Sequence, residues 1–217
     1  MRCPPLLLVF LVVSLSLPAA AELYIVPADD ELIQQSTAIV IGTVSSMHST
    51  FVGESIITNI DIDVEAVLKG QLKPGARIRL AEPGGEVGGR VMMVSAAPTY
   101  WTNNRALIFL TKNDSGEWIT WGAALGKFDF VSDATQRPLL VRWAGRVEEP
   151  TLWTPEGRTH EEKVRMADRF VEYIRTAVNA PPFDPEHPQE PREQKPVPDY
   201  FVDAPAPPMA NPFAWDP

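Results

Sequence analysis

The feature that most constrains this chain is one stretch of strict alternation. Between Ile56 and Val67, Ile56, Thr58, Ile60, Ile62 and Val64 fall on one side of an extended backbone. Asn59, Asp61, Asp63 and Glu65 fall on the other. Successive side chains of a strand point to opposite faces, so this period predicts a strand with one buried face and one solvated face. The flanking sequence keeps the same character. β-rich runs at Thr37–Met47, Arg77–Leu80, Val91–Ser95, Ala106–Thr111, Glu117–Gly122 and Lys127–Val131 alternate with turn signals at Lys69-Gly70, Pro74-Gly75 and Asn113-Asp-Ser-Gly116. Leu139–Trp143 adds an expected edge strand. Short strands at this spacing predict a mainly β fold, a closed or nearly closed antiparallel barrel.

A short helix is expected before these strands and an amphipathic helix after them, the second lying across an open side or end of the barrel. Asp29-Asp-Glu-Leu-Ile-Gln-Gln35 carries carboxylates in its first turn, where the helix dipole favours them. Thr159-His-Glu-Glu162 matches a capping box. The predicted helix after it puts Val164, Ala167, Phe170, Val171, Ile174 and Val178 on one stripe, for packing against the barrel, and Pro181-Pro182 ends it. Beyond that point 12 of the 37 residues are proline. Such a segment buries too little apolar surface to offset chain entropy, so residues 181–217 are expected to be disordered. The expected organisation is a signal peptide over 1–21, a β-barrel domain over 22–153, a packed C-terminal helix over 154–180 and the proline-rich tail over 181–217.

The first residues form a tripartite export signal: Arg2, an apolar core from Leu6 to Leu17, and the small residues Pro18-Ala-Ala-Ala21. The apolar core is shorter than the roughly 20 residues that span a bilayer. Cleavage near Ala21 would leave a secreted or periplasmic protein with no membrane insertion. The sole cysteine, Cys3, lies in the leader, so the mature chain has no thiol, disulfide or cysteine ligand and folds on its core alone. Loss of Arg2 takes the net charge of −9 to −10, and so acidic a surface repels nucleic acid.

Catalytic signatures do not assemble. The three histidines, His48, His160 and His187, are read in a loop, a helix cap and the tail, and HExxH, GxSxG and phosphate-loop patterns do not occur. Asp61, Asp63 and Glu65 share a face but stand too far apart for a compact cation cage, so a plain solvent-facing stripe is expected, with no metal and no cofactor. Two places remain as binding candidates. One is Gly84, Gly85, Glu86, Gly88 and Gly89 of the glycine-rich Pro83–Gly89, a turn or bulge on a rigid scaffold. The other is the aromatic pair Tyr100 and Trp101 beside Pro98, which in a loop must cover something. In the tail, Pro182, Pro185, Pro188 and Pro191 recur every third residue, which would line one edge of a polyproline II helix. Tyr200, Phe201, Phe213 and Trp215 are the tail's candidate docking anchors.

The order Ile39-Val-Ile-Gly-Thr-Val44, Val67-Leu-Lys-Gly70, Pro83–Gly89, Leu107-Ile-Phe-Leu110 and Gly126-Lys-Phe128 resembles a group of exported bacterial domains of undefined function. These are similar to the netrin-like barrel of tissue metalloprotease inhibitors, an OB-type fold, and in some chains precede a matrixin-type metalloprotease. The resemblance covers residues 29 to 131. It implies an OB-like barrel acting as a non-enzymatic binding or accessory module of the cell envelope, its partner another envelope or secreted protein. A protease-associated component, an inhibitor or prodomain-like module or part of an enzyme, is the alternative it implies. The animal inhibitors reach the target zinc through an N-terminal cysteine, which the mature chain lacks, so that mechanism does not carry over.

Overall fold

A computed structural model describes residues 24–143, 152–153, 163–179 and 199–202. The described chain opens with a short strand, β1 (Tyr24–Ile25), and a helix, α1 (Asp29–Gln35), whose first turn holds Asp29, Asp30 and Glu31. Two 15-residue strands follow as one long hairpin, β2 (Ala38–Val52) and β3 (Ser55–Lys69). After them come β4 (Arg77–Pro83), β5 (Gly85–Val87), β6 (Arg90–Met92), β7 (Arg105–Lys112) and β8 (Trp118–Thr120). The remainder is β9 (Lys127–Ser132), β10 (Pro138–Arg142), β11 (Leu152–Trp153), β12 (Val164–Met166), helix α2 (Ala167–Val178) and β13 (Phe201–Val202).

The fold is mainly β, organised by one mixed sheet in the order β13-β12-β10-β9-β7-β2-β3-β4-β8. β8 also pairs antiparallel with β7, while its contact with β4 is parallel, through Leu80 and Trp118. The pairings of β7, β2, β3, β4 and β8 therefore return on themselves. β1 pairs with β11, and β5 with β6, in two separate small sheets.

The period-two pattern of β3 is realised as read: Ile56, Thr58, Ile60, Ile62 and Val64 are buried. So are Ile108, Leu110 and Phe128, the other residues expected in the core. β2 behaves differently, because Ala38 to Gly42 is buried on both faces. Ala38, Val40 and Val44 join Ile60, Ile62, Leu80, Ile108 and Leu110 in one core, whereas Ile39 and Ile41 join Leu107, Phe109, Phe128 and Phe170 in a second core under α2. A strand buried on both sides reads as a continuous apolar run, which is what Ile39-Val-Ile41 is. Register shifts at three places bend β2 around β3. Gly42 permits their close approach: a Cβ there would stand 2.6 Å from Ile62 Cγ2 and 2.7 Å from the Asp63 carbonyl oxygen.

The structure corrects several expectations. Val164–Met166 is strand, not the first turn of the C-terminal helix, because Val164 and Arg165 pair with β13 and Leu139 and Leu140 pair back from β10. The helix starts at Ala167 and still buries Ala167, Phe170 and Ile174; Thr159–Glu162 lies outside the described residues. β10 is not an edge, since β9 flanks it on one side and β12 on the other. The strand expected over Val91–Ser95 is β6, ending at Met92, and His48 sits in β2 opposite Asn59 rather than in a loop. Within the tail, Asp199–Val202 is placed against the sheet, with Tyr200 buried in the second core and Phe201–Val202 paired with β12. Aromatic burial there outweighs the proline-rich composition. The proline spacing over 182–191, Phe213 and Trp215 lie outside the described residues.

Candidate functional site

The long hairpin outruns its neighbours. β7 pairs with β2 only from Ala38 to Thr43, so the outer halves of β2 and β3 project past it. The β5–β6 hairpin and the loop from Met93 to Tyr100 fold back over this projection and enclose a cleft of about 630 Å³. Its walls are Met47 and Ser49 of β2, Thr58 and Ile60 of β3, Glu82 of β4, Gly84 to Glu86, and Val91 to Tyr100. That volume falls in the range of small-molecule sites.

Glycine lets the roof lie this close. Gly85 has φ +133, and a Cβ on it would lie 2.3 Å from Thr58 Oγ1 and 2.5 Å from Ser49 Oγ. The Thr58 hydroxyl donates to the Gly84 carbonyl at 2.6 Å, which leaves the Ser49 hydroxyl to donate to Thr58 at 2.9 Å. The Ile56 N–H meets Met92 Sδ at 3.2 Å. Gly88 and Gly89, with φ of +58 and +77, form only the tip of the β5–β6 turn and do not line the cleft.

At the floor lies Glu82, 5% exposed and opposite Thr58 in the β3–β4 register. Its Oε1 accepts from the Thr120 N–H at 2.7 Å and from the Thr120 hydroxyl at 2.6 Å. With that hydroxyl proton committed, the Tyr100 hydroxyl donates to Thr120 Oγ1 at 2.7 Å. Burial pushes the Glu82 carboxyl up to about 7, opposed by the two Thr120 donors. Burial, then the nearby Glu82 charge, pushes the Tyr100 phenol well above its usual range.

Trp101 does not line the cleft. With Tyr100 it covers the buried Lys127, whose ammonium lies 4.6 Å from the Trp101 ring centroid and 4.9 Å from that of Tyr100. Lys127 Nζ also donates to Asp129, and burial holds its pKa below the usual lysine value. The aromatic pair that sequence reading marked for contact is thus divided, Tyr100 facing the cleft and Trp101 sealing a buried ion pair.

The rim is apolar. Met47, Val91 and Met93 are exposed at 37%, 63% and 79%, with Phe51 and Val52 beyond them on the hairpin tip. Among the sequence candidates, Gly84, Gly85, Glu86 and Tyr100 come together in one cleft. Tyr200 and Phe201 belong to the opposite core, where they pack rather than dock. Sequence reading missed Glu82, Thr120 and the methionines. Glu82 had a signal: Ile78, Leu80 and Glu82 fall on one face at period two, so a carboxylate was due to point inward.

The acidic stripe of β3 is committed to arginines of neighbouring strands. Asp61 is bidentate to Arg79, Asp63 to Arg77, and Glu65 accepts from Arg105 at 2.7 Å. The guanidinium hydrogen bonds hold Asp61 and Asp63 below the usual carboxylate range. Asp63 is exposed as expected, whereas Asp61 is half-buried. Among the described residues no group of three or more His, Cys, Asp or Glu side chains could hold a metal ion, and no helix is long and apolar enough to cross a membrane.

No family model matches this chain, and no curated protein or solved structure shows significant similarity to it.

Proposed function

We propose that this chain is an exported, non-enzymatic binding module of the cell envelope, built on an OB-type barrel, whose cleft receives an apolar ligand. The observation that carries the reading is the cleft of about 630 Å³, enclosed by the β5–β6 roof, with an apolar rim exposed above it. Exposed Met and Val side chains around a concavity are a feature of binding sites, since scattered apolar residues do not gather about a pocket.

The barrel reading is supported by the pairing cycle β7-β2-β3-β4-β8, closed through one parallel contact, which fits a five-stranded, partly open Greek-key barrel. The mouths of such barrels are frequent ligand sites. Net charge of −9 disfavours the nucleic-acid role that other OB-type domains perform. Export rests on the leader ending at Ala21, and a mature N-terminus at Glu22, read by mass spectrometry of the secreted or periplasmic fraction, is its check.

Binding is tested with Nile red, a neutral apolar dye, titrated into the purified chain. A saturable one-to-one fluorescence rise, weakened by the rim changes Val91→Asp and Met93→Asp, supports the reading. Non-saturable binding that ignores both changes overturns it, as does turnover in a broad hydrolase screen.

A further inference from the structure

The cleft holds one polar feature that an apolar ligand alone does not explain. Glu82 is buried at the floor, and its hydrogen-bond partners, the Thr120 amide and hydroxyl, are neutral. Among the described residues, no lysine, arginine or histidine lines the cleft. Two cations of neighbouring segments are engaged elsewhere: Lys127 is bonded to Asp129 and stands 4.9 Å from the Tyr100 ring centroid, and Arg90, which does not line the cleft, stands 5.3 Å from that of Phe51. Buried carboxylates are ordinarily paired, because an isolated buried charge is strongly unfavourable.

We infer that the cleft recognises a cationic amphiphile, a small apolar body ending in an ammonium group, whose head pairs with Glu82 while its apolar part lies against Met47, Met92, Met93 and Val94. This rests on the binding reading above and deepens it. The ligand would supply the one element the site lacks, and methionine side chains adapt to apolar bodies of varied shape. An anionic amphiphile would place like charges together in a low-dielectric site, which disfavours it strongly.

The titratable groups around the cleft set the pH behaviour. From β5 comes the exposed Glu86, from the roof loop Tyr100, and from β9, behind Tyr100, the Lys127–Asp129 pair. β3 and β8 present only the uncharged Thr58 and Thr120. The site thus gains negative charge as Glu82 ionises near pH 7. A cation of fixed charge should bind more tightly as pH rises through that region and level off above it.

The experiment compares octyltrimethylammonium, octanol and octanoate by competition against Nile red on the wild-type chain, from pH 5.5 to 8.5. The expected result at pH 8 is a preference of about tenfold or more for the cation over the alcohol, with octanoate weakest. That preference should shrink toward pH 5.5. Glu82→Gln, which keeps an oxygen for both Thr120 donors, should reduce it to about twofold, and Asp63→Asn, outside the cleft, should leave it intact. Nile red binding with equal affinity for alcohol and cation, or with octanoate tightest, overturns the cation inference and leaves the binding reading standing. Absence of Nile red binding overturns both. Should Glu82→Gln not fold, the wild-type ranking and its pH dependence decide the matter.

Discussion

Two largely buried carboxylates, one at each end of the molecule, are treated in opposite ways. Asp29, at the head of α1, meets the buried Arg165 through Nη2 at 3.0 Å and Nε at 3.2 Å, and accepts from the Tyr200 hydroxyl at 2.9 Å. The guanidinium is walled by Phe128, Phe170 and Phe201 at 4.8, 5.2 and 5.0 Å from their ring centroids. Glu82, at the other end, has hydrogen bonds from one threonine and, among the described residues, no ion pair. The first arrangement ties three distant stretches of chain, α1, β12 and Asp199–Val202, into a sealed core. The second leaves a charge requirement open beside an accessible cleft. The difference between a closed and an incomplete electrostatic group is what separates scaffold from candidate site here.

The largest expected effect tests the sealed end. Arg165→Met strands Asp29 in a buried position, and breaking a buried pair by removing one partner costs about 3–5 kcal/mol. Urea denaturation should show a correspondingly lower midpoint. A loss under about 1 kcal/mol would mean that water reaches Asp29 and that the end is not sealed.

The matching change at the open end should act with the opposite sign. Glu82 titrates near 7 in the folded chain, above the ordinary value of 4.5. A raised carboxyl stabilises the fold fully below about pH 4.5, and that contribution is lost as pH rises through 7. Glu82→Gln should therefore leave stability little changed at pH 4.5 and raise it by about 3 kcal/mol at pH 8, from a shift of between two and three pH units. Equal effects at the two pH values would show that the carboxyl is not raised, and the contrast with Asp29 would collapse.

Tyr200→Phe divides the sealed end more finely. The ring keeps its place against Phe170, 4.9 Å away between centroids, and only the hydrogen bond to Asp29 is lost. A hydrogen bond to a charged group supports a loss of about 1–3 kcal/mol. Removing residues 199–217 should cost more, because the ring leaves as well. Unchanged thermal unfolding after that truncation would return the segment to the role of a loose tail.

Most of the scaffold could be read from the sequence, for a physical reason. β3 alternates because one face is buried, and the Asn113–Gly116 turn is set by local chemistry, Gly116 at φ +80 and the Asn113 side-chain oxygen accepting from the Ser115 and Glu117 amides. What escaped depends on contacts between distant residues. Val164–Met166 continues a helical stripe in sequence, yet β10 and β13 hold it extended. Tyr200 stands among prolines but finds Asp29 across 171 positions. Lys127 and Asp129 flank Phe128 and look solvent-facing by period, until Tyr100 and Trp101 close over Lys127. The cleft is of the same kind. Its glycines were visible, but their purpose required knowing that Gly85 crosses Ser49 and Thr58.

The smallest stability effect is expected at the rim, and it separates site from scaffold most directly. Met93 is 79% exposed, so Met93→Asp removes little buried surface and should change the unfolding free energy by no more than roughly 0.5 kcal/mol. The same change puts a charge at the lip of the cleft, where an entering apolar body must shed water beside it, so Nile red affinity should fall. Loss of affinity without loss of stability assigns the exposed methionine to binding. A parallel fall in both would make Met93 a packing residue of the β5–β6 roof. If neither moves, the ligand sits deeper, on Ile60, Val94 and Tyr100, and Val91→Asp should then be silent too.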